Sequence, residues 1–364
     1  VDFTTGEKID KTSLLQHTNL TNAKIHFGSP NILIDADSLQ WTGNKGNFIA
    51  SNISVMPTIT RDTFFTVSQW QKDYLTLRLQ QLFIHSLDTK RLVNDSSLYI
   101  REITLNNPDI STSRNKNIPL QHGIEKLMPT KLIAKIKTPL KIDSVIVNDA
   151  TVNANEISRV TQREGTIPLV HVNAQIRNIT NMPGANDSLS VRAQGVLVNH
   201  YIRSLKYKES YSDSLSGFRM SIRMSPMDLT ALSNITNPLV AVNIDKGHSD
   251  TLYARIAGNK YAAFGIMNFY YKDLKIRMLS HTDTLKKNFL LSLESFLANR
   301  FVKTNNKKNA QIFYTRDPEK FVFNYWIKST FSGVITSAGL KSNKKYEKKY
   351  KAVKKAYSLP DKTD

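Results

Sequence analysis

Residues 218 to 225 read Phe-Arg-Met-Ser-Ile-Arg-Met-Ser. On an extended chain Phe218, Met220, Ile222 and Met224 point to one side, and Arg219, Ser221, Arg223 and Ser225 to the other. Period-two alternation of this kind makes a strand with one face in a core and one in water, as in an antiparallel sheet. The same pattern recurs on both sides of this stretch. Val170, Val172, Ala174 and Ile176 alternate with His171, Asn173, Gln175 and Arg177, and Leu274, Ile276 and Met278 alternate with Asp273, Lys275 and Arg277. Leu132, Ala134 and Ile136 alternate with Ile133, Lys135 and Lys137, which predicts a further strand there. Turn formers such as Asn181-Met182-Pro183-Gly184 and Asp245-Lys246-Gly247 separate the runs.

A longer pattern lies upstream. Leu98-x-Ile100-x-x-Ile103-x-Leu105-x-Asn107-Pro108-x-Ile110 recurs as Leu140-x-Ile142-x-x-Val145-x-Val147-x-Asp149-Ala150-x-Val152, and Leu77-x-Leu79-x-x-Leu82-x-Ile84 matches the first half of both. Each unit slips its alternation by one residue, as a β-bulge does. Such a repeat predicts a sheet that grows by adding similar strands and is extended rather than spherical.

The period changes towards the C-terminus. Pro226 to Leu232 reads as a short helical turn that closes before Asn237-Pro238. Phe289, Leu290, Leu293, Phe296, Leu297 and Phe301 fall at helical spacing. Asp317-Pro318-Glu319 predicts a helix start, with Asp as N-cap and Pro at the first helical position. In that second helix Phe323, Ile327, Phe331 and Val334 share a face. Residues 321–340 are too polar for a membrane span and read as an amphipathic helix docked on the body or on a partner.

The fold expected is therefore mainly β: an elongated, curved antiparallel sheet, groove-like, with two C-terminal amphipathic helices. The chain divides into a repetitive β region (1–225), a β module with a short helix (226–285), a helical segment (286–340) and a Lys-rich tail (341–364). Its 364 residues are 40% hydrophobic, enough for a substantial core. Fifty Lys and Arg against 30 Asp and Glu leave a formal charge of +20. The tail holds nine of the Lys and three acids, so the excess belongs mostly to the body.

The absence of cysteine excludes a disulfide scaffold, thiol catalysis and thiolate-bound metal. None of the eight His stands at metal-ligand spacing, and no nucleophile elbow or phosphate loop occurs, so neither catalytic residues nor a cofactor are expected. His248-Ser249-Asp250 has the residue types of a triad, but as sequence neighbours. Asp35 and Asp37 form a carboxylate pair or part of a solvated face. Lys344, Lys345, Lys348, Lys349, Lys351, Lys354 and Lys355 interleave with tyrosines, a pattern suited to anionic lipid headgroups. The lack of an Arg fork in this run, and of any nucleic-acid-binding motif, argues against nucleic acid.

Residues 226–285 carry a resemblance. The short helix at Asp228 to Leu232, the pair Asn237-Pro238, the turn Gly247 to Leu252 and the strand Tyr271 to Met278 are similar to the C-terminal region of AsmA-like proteins, of the wider AsmA/TamB group. Residues 313–340 resemble versions of that region from Bacteroidetes-type bacteria, and 142–152 resemble the family's repeated strands. The likeness extends over residues 75–340, and the matching residues are ordinary ones. It implies a curved β-sheet with an apolar groove and no catalytic residues, in a periplasmic protein that moves phospholipid or supports the outer membrane. It also implies anchoring to the inner membrane by an N-terminal helix that residues 1–364 do not include. Phe218, Met220, Ile222, Met224, Leu274, Ile276 and Met278 would line the groove. Phospholipid or another acyl lipid, the membrane surface, and an envelope protein docked on 286–340 would be the partners. Alternation by itself does not distinguish an open groove from a closed sandwich core, and on the residues alone the closed core is the stronger reading, with the protein then acting as an envelope scaffold.

Overall fold

The computed structural model describes residues 19–184, 186–279, 309–338, 348 and 351–355. The first predicted C-terminal helix, at 289–301, lies outside these. Strands β1 (Asn19–Gly28), β2 (Ile32–Thr42), β3 (Asn47–Pro57), β4 (Tyr74–Leu87), β5 (Leu98–Asn115), β6 (Leu140–Ile157) and β7 (Glu164–Thr180) come first. β8 (Ser188–Leu197), β9 (His200–Ser210), β10 (Phe218–Met224), β11 (Met227–Asp228), β12 (Val242–Gly258), β13 (Ala262–Met278) and β14 (Ala310–Thr315) follow. Among the described residues they form one open, curved 14-stranded sheet in sequence order, with only the short β11 off the path. The sheet runs unbroken through residue 225, since β10 pairs with β12.

The sheet is mixed. Every neighbouring pair is antiparallel except β5 and β6, which run parallel from Leu98↔Leu140 to Asn115↔Ile157. The offset of 42 residues holds from end to end, so the two copies of the sequence repeat lie side by side, residue on equivalent residue. Their slips coincide too. Asn107 and Asp149 both have positive φ (51° and 53°), and the Asn107 amide donates to the Asp149 carboxylate at 3.3 Å. The match beginning at Leu77 is different in kind, because β4 lies antiparallel to β5.

A parallel pair needs a crossover, and residues 116–139 supply it. Here the predicted strand at 132–137 is overturned. Pro129 opens a five-residue helix, α3 (Pro129–Ile133), and Leu132 and Ile136 are exposed at 44% and 43%. Alternation in so short a run does not distinguish a strand from a helical turn with its outer side in water. Met128, just before the helix, is buried in the main core.

Further helices among the described residues are α1 (Arg61–Val67), α2 (Thr89–Asn94), α4 (Ser233–Val240) and α5 (Val322–Ser337). The predicted turn near 229 is a 3-10 helix at Leu229–Leu232, and Asp228 accepts from the Thr230 N–H at 3.0 Å as its cap. It does not close before Asn237-Pro238. It leads into α4, which contains Pro238, because Pro238 and Leu239 pack on the bare backbone of Gly165. A Cβ at Gly165 would come within 2.7 Å of Leu239, so a tertiary contact overrides the local preference against a helix there.

The segment 286–340 is not helical throughout. Residues 310–315 form β14, an edge strand paired with β13. The predicted helix start is also displaced. Asp317 accepts from the Glu319 N–H at 3.1 Å in a turn, while the Glu319 carboxylate reaches His122 at 2.8 Å and the Gly123 N–H at 2.7 Å. α5 begins only at Val322, after the extended Phe321. No described helix is long and apolar enough to cross a membrane.

Candidate functional site

The strand register aligns the apolar residues into rows that cross the sheet. Leu39, Ala50, Leu82, Leu105, Val147, Ala174, Ala193, Leu205, Ile222, Ala254, Met267 and Ala310 are successive cross-strand partners from β2 to β14. Two residues along each strand runs a second row: Trp41, Phe48, Ile84, Ile103, Val145, Ile176, Val191, Tyr207, Met220, Ile256, Gly265 and Ile312. No polar side chain interrupts either row except the hydroxyl-bearing Tyr207. Cross-strand apolar neighbours ~5 Å apart pack on one another, and the sheet gains a continuous apolar track.

The track changes character along its length. At the C-terminal end it is sealed: Ala254, Met267 and Ala310 are 0%, 0% and 1% exposed. Between β4 and β8, Leu82, Leu105, Val147, Ala174 and Ala193 are half-buried.

The seal is α5, whose docking inverts the sequence expectation. Its buried side carries Tyr325, Ser329, Ser332, Gly333, Thr336 and Ser337, while Phe323, Ile327 and Phe331 are 66%, 60% and 41% exposed. The reason is steric and polar. A Cβ on Gly333 would come within 2.8 Å of Ile312 and 2.9 Å of Met267, so only a small residue permits this approach. The buried hydroxyls of Ser329 and Thr336 donate to the carbonyls of Tyr325 and Ser332, four residues back in the helix. Ser332 instead serves the sheet edge, donating to the Phe313 carbonyl at 2.7 Å and accepting from its N–H at 3.1 Å. β14 therefore does not present this residue as a bare edge.

Next to the seal, aromatic rings fill the space. Tyr207 lies 4.5 Å from Trp326 and 5.5 Å from Phe218 between ring centres, and Phe218 stands edge-on to Tyr325 at 5.7 Å. Of the residues expected to line a groove, Phe218 and Met220 are thus buried in this core, and Ile222, Met224 and Leu274 pack partly buried against it. Ile276 is half-buried on β13, and the Met278 side chain lies outside the description. The structure brings β10 and β13 into one apolar cluster, but at its closed end. The half-buried stretch on β4 to β8 was missed, although the repeat at 98 and 140 and the alternation at 170–177 marked its strands.

Glu209 is 0% exposed, one step beyond Tyr207 on the apolar face. Its carboxylate accepts from the Thr130 hydroxyl at 2.7 Å and N–H at 3.3 Å, and from the Tyr207 hydroxyl at 2.8 Å. Burial nonetheless pushes its pKa above the ordinary value of 4.5. A raised pKa means that the fold holds the proton better than the unfolded chain does. This contribution to stability is complete below pH 4.5 and is lost as pH rises through the folded value. Glu209→Gln is therefore expected to flatten the fall in melting temperature between pH 4.5 and the folded value, and to be no less stable than wild type at alkaline pH. A thermal melt series across pH checks this; a Gln variant with an unchanged pH slope contradicts it. The Arg316 guanidinium, also buried, donates from its two Nη atoms to the carbonyls of Lys126 and Lys260, tying the crossover to β14.

The remaining sequence candidates do not assemble. His26 pairs with Asp35, and Asp37 accepts from Asn52 at 3.1 Å. No metal-holding cluster occurs among the described residues. Ser249 is buried at 3%, while His248 and Asp250 are exposed and 3.6 Å apart, so the strand turns the serine away from its neighbours. In the tail, Lys348, Lys351 and Lys355 are exposed, Lys354 is half-buried, and Lys344, Lys345 and Lys349 lie outside the described residues. Residues 351–355 are helical, and Val353 packs against the cluster of Ala262, Phe313 and Phe264. No protein-family model matches the chain, and no curated protein does.

Proposed function

We propose that this chain is a non-enzymatic, AsmA-like lipid-binding protein of the bacterial periplasm. Acyl chains lie along the half-buried part of the apolar track, in support of outer-membrane assembly or lipid homeostasis. The single observation that carries this reading is the pair of unbroken apolar rows crossing from β2 to β14, half-buried between β4 and β8 at every position except the buried Val145. That open stretch is four inter-strand steps long, ~19 Å. A chain that spans half of a bilayer's hydrocarbon core, ~15 Å, fits along it. Each buried methylene contributes about 0.8 kcal/mol, so one tail supplies a useful affinity without any polar recognition. The exposed Phe323, Ile327 and Phe331 of α5 and the Lys-rich tail supply apolar and cationic surface suited to a membrane.

Native mass spectrometry after gentle extraction tests the proposal. Phospholipid adducts, and uptake of a fluorescent phospholipid by the stripped protein, are expected. A clean apo mass with no uptake rejects it. One observation favours a second reading, that of an envelope scaffold with a closed core: one end of the track is already filled by the protein's own aromatic rings around Tyr207 and Trp326.

A further inference from the structure

The opposite face of the same strands is unlike the apolar one. β8, β9 and β10 carry Arg192, Arg203, Lys206, Lys208, Arg219 and Arg223, all exposed, and their one acid, Glu209, points the other way into the core. Cations stand directly opposite one another in the register: Arg192 faces Lys206, and Lys208 faces Arg219. Like charges in such positions destabilise a sheet. Neither these four nor Arg255 forms an ion pair among the described residues.

These cations border a trough of about 950 Å³ that crosses from β8 to β13. Lys208 and Arg219 stand along one side, in line with Ser190, and Arg192, Lys206 and Arg255 along the other, in line with Ser221. The sides are two residues apart, ~7 Å, and successive strands ~5 Å apart. Among the described residues Asp187 is the only acid lining the trough, and it already accepts from the Gly184 N–H at 2.7 Å. Among the described residues Phe264, half-buried at one end, is the only aromatic side chain on this face of the trough, and they form no stacking platform of the kind a single-stranded nucleic-acid site uses.

We propose that this trough is a binding site for clustered phosphates, two or more phosphate groups carried on one ligand or presented by neighbouring lipid headgroups. Charge-assisted bonds from the five cations would offset the repulsion that the sheet otherwise bears. The inference stands apart from lipid binding on the apolar face.

The test uses sodium tripolyphosphate and, separately, vesicles containing phosphatidylglycerol, each at about 50 and 200 mM salt. The trough variant combines Arg192→Gln, Lys206→Gln and Arg219→Gln. The control removes equal charge elsewhere through Lys90→Gln, Lys135→Gln and Lys137→Gln. Affinity is expected to fall about 100-fold in the trough variant and by no more than about twofold in the control. Loss against tripolyphosphate identifies a soluble polyphosphate as sufficient, and loss against vesicles alone identifies a headgroup array. Relief of repulsion leaves the trough variant at least as heat-stable as wild type; should it melt lower, Arg219→Gln alone, about tenfold weaker, carries the test. Equal loss in both triple variants, or no binding of either probe by wild type, overturns the proposal.

Discussion

Ala174→Glu is expected to reduce co-purifying phospholipid and fluorescent-lipid uptake by at least about tenfold. Ala174 sits in mid-track, paired with Val147 on one side and Ala193 on the other, where the row is half-buried. A carboxylate there has to lose its hydration shell against an acyl chain or else protonate. An unpaired polar group so buried costs at least about 1–3 kcal/mol, and each 1.4 kcal/mol is about a factor of ten in affinity. Without lipid the carboxylate reaches water, so the folded protein loses no more than about 1 kcal/mol. The neighbouring residue provides the control. Gln175 points to the other face, between Ile146 and Arg192, and Gln175→Glu adds the same charge one position away. Its lipid load should match wild type. Equal loss in both variants would mean that net charge, and not the track, governs binding; full retention in Ala174→Glu would mean that no tail lies there.

How much of this arrangement the sequence discloses depends on how local each cause is. The strands at 170–177, 218–224 and 274–278 are legible because alternation follows directly from strand geometry. The repeat at 98 and 140 is legible as a repeat, and its slip as a bulge, since Asn107 and Asp149 are residue types that tolerate positive φ. Its pairing is not legible. Nothing local tells Leu98 that its neighbour is Leu140 in parallel; the crossover at 116–139 decides that, and its residues 132–137, the end of a helical turn and the loop after it, alternate like a strand. At His171 the positive φ of 52° is likewise hidden in a run that alternates cleanly on paper. The candidate site is legible only in part for the same reason. Alternation says which residues of a strand share a face, but the register that lines Leu105 up with Val147 and Ala174 is a property of the assembled sheet.

α5 is the element that most misled, and it is the one to which function is most sensitive. A stripe of Phe323, Ile327 and Phe331 ordinarily marks a buried face. Here the closeness of the helix to Met267 and Ile312 selects the small and hydroxyl side, and the large residues turn outward. Gly333→Leu is therefore expected to destabilise the fold by about 2–3 kcal/mol, the cost of forcing a larger side chain into a packed contact. Gly333→Ala should cost less, because Met267 can swing part of the way aside. The same displacement should affect binding. With α5 lifted, the closed end around Met220 and Ile312 joins the uncovered stretch, and fluorescent-lipid capacity rises above wild type even as the urea midpoint falls. Opposite signs in the two measurements are what a stopper predicts. If α5 were a structural helix alone, stability and lipid capacity would fall together, and a Gly333→Leu protein as stable as wild type would show that the helix does not depend on this contact.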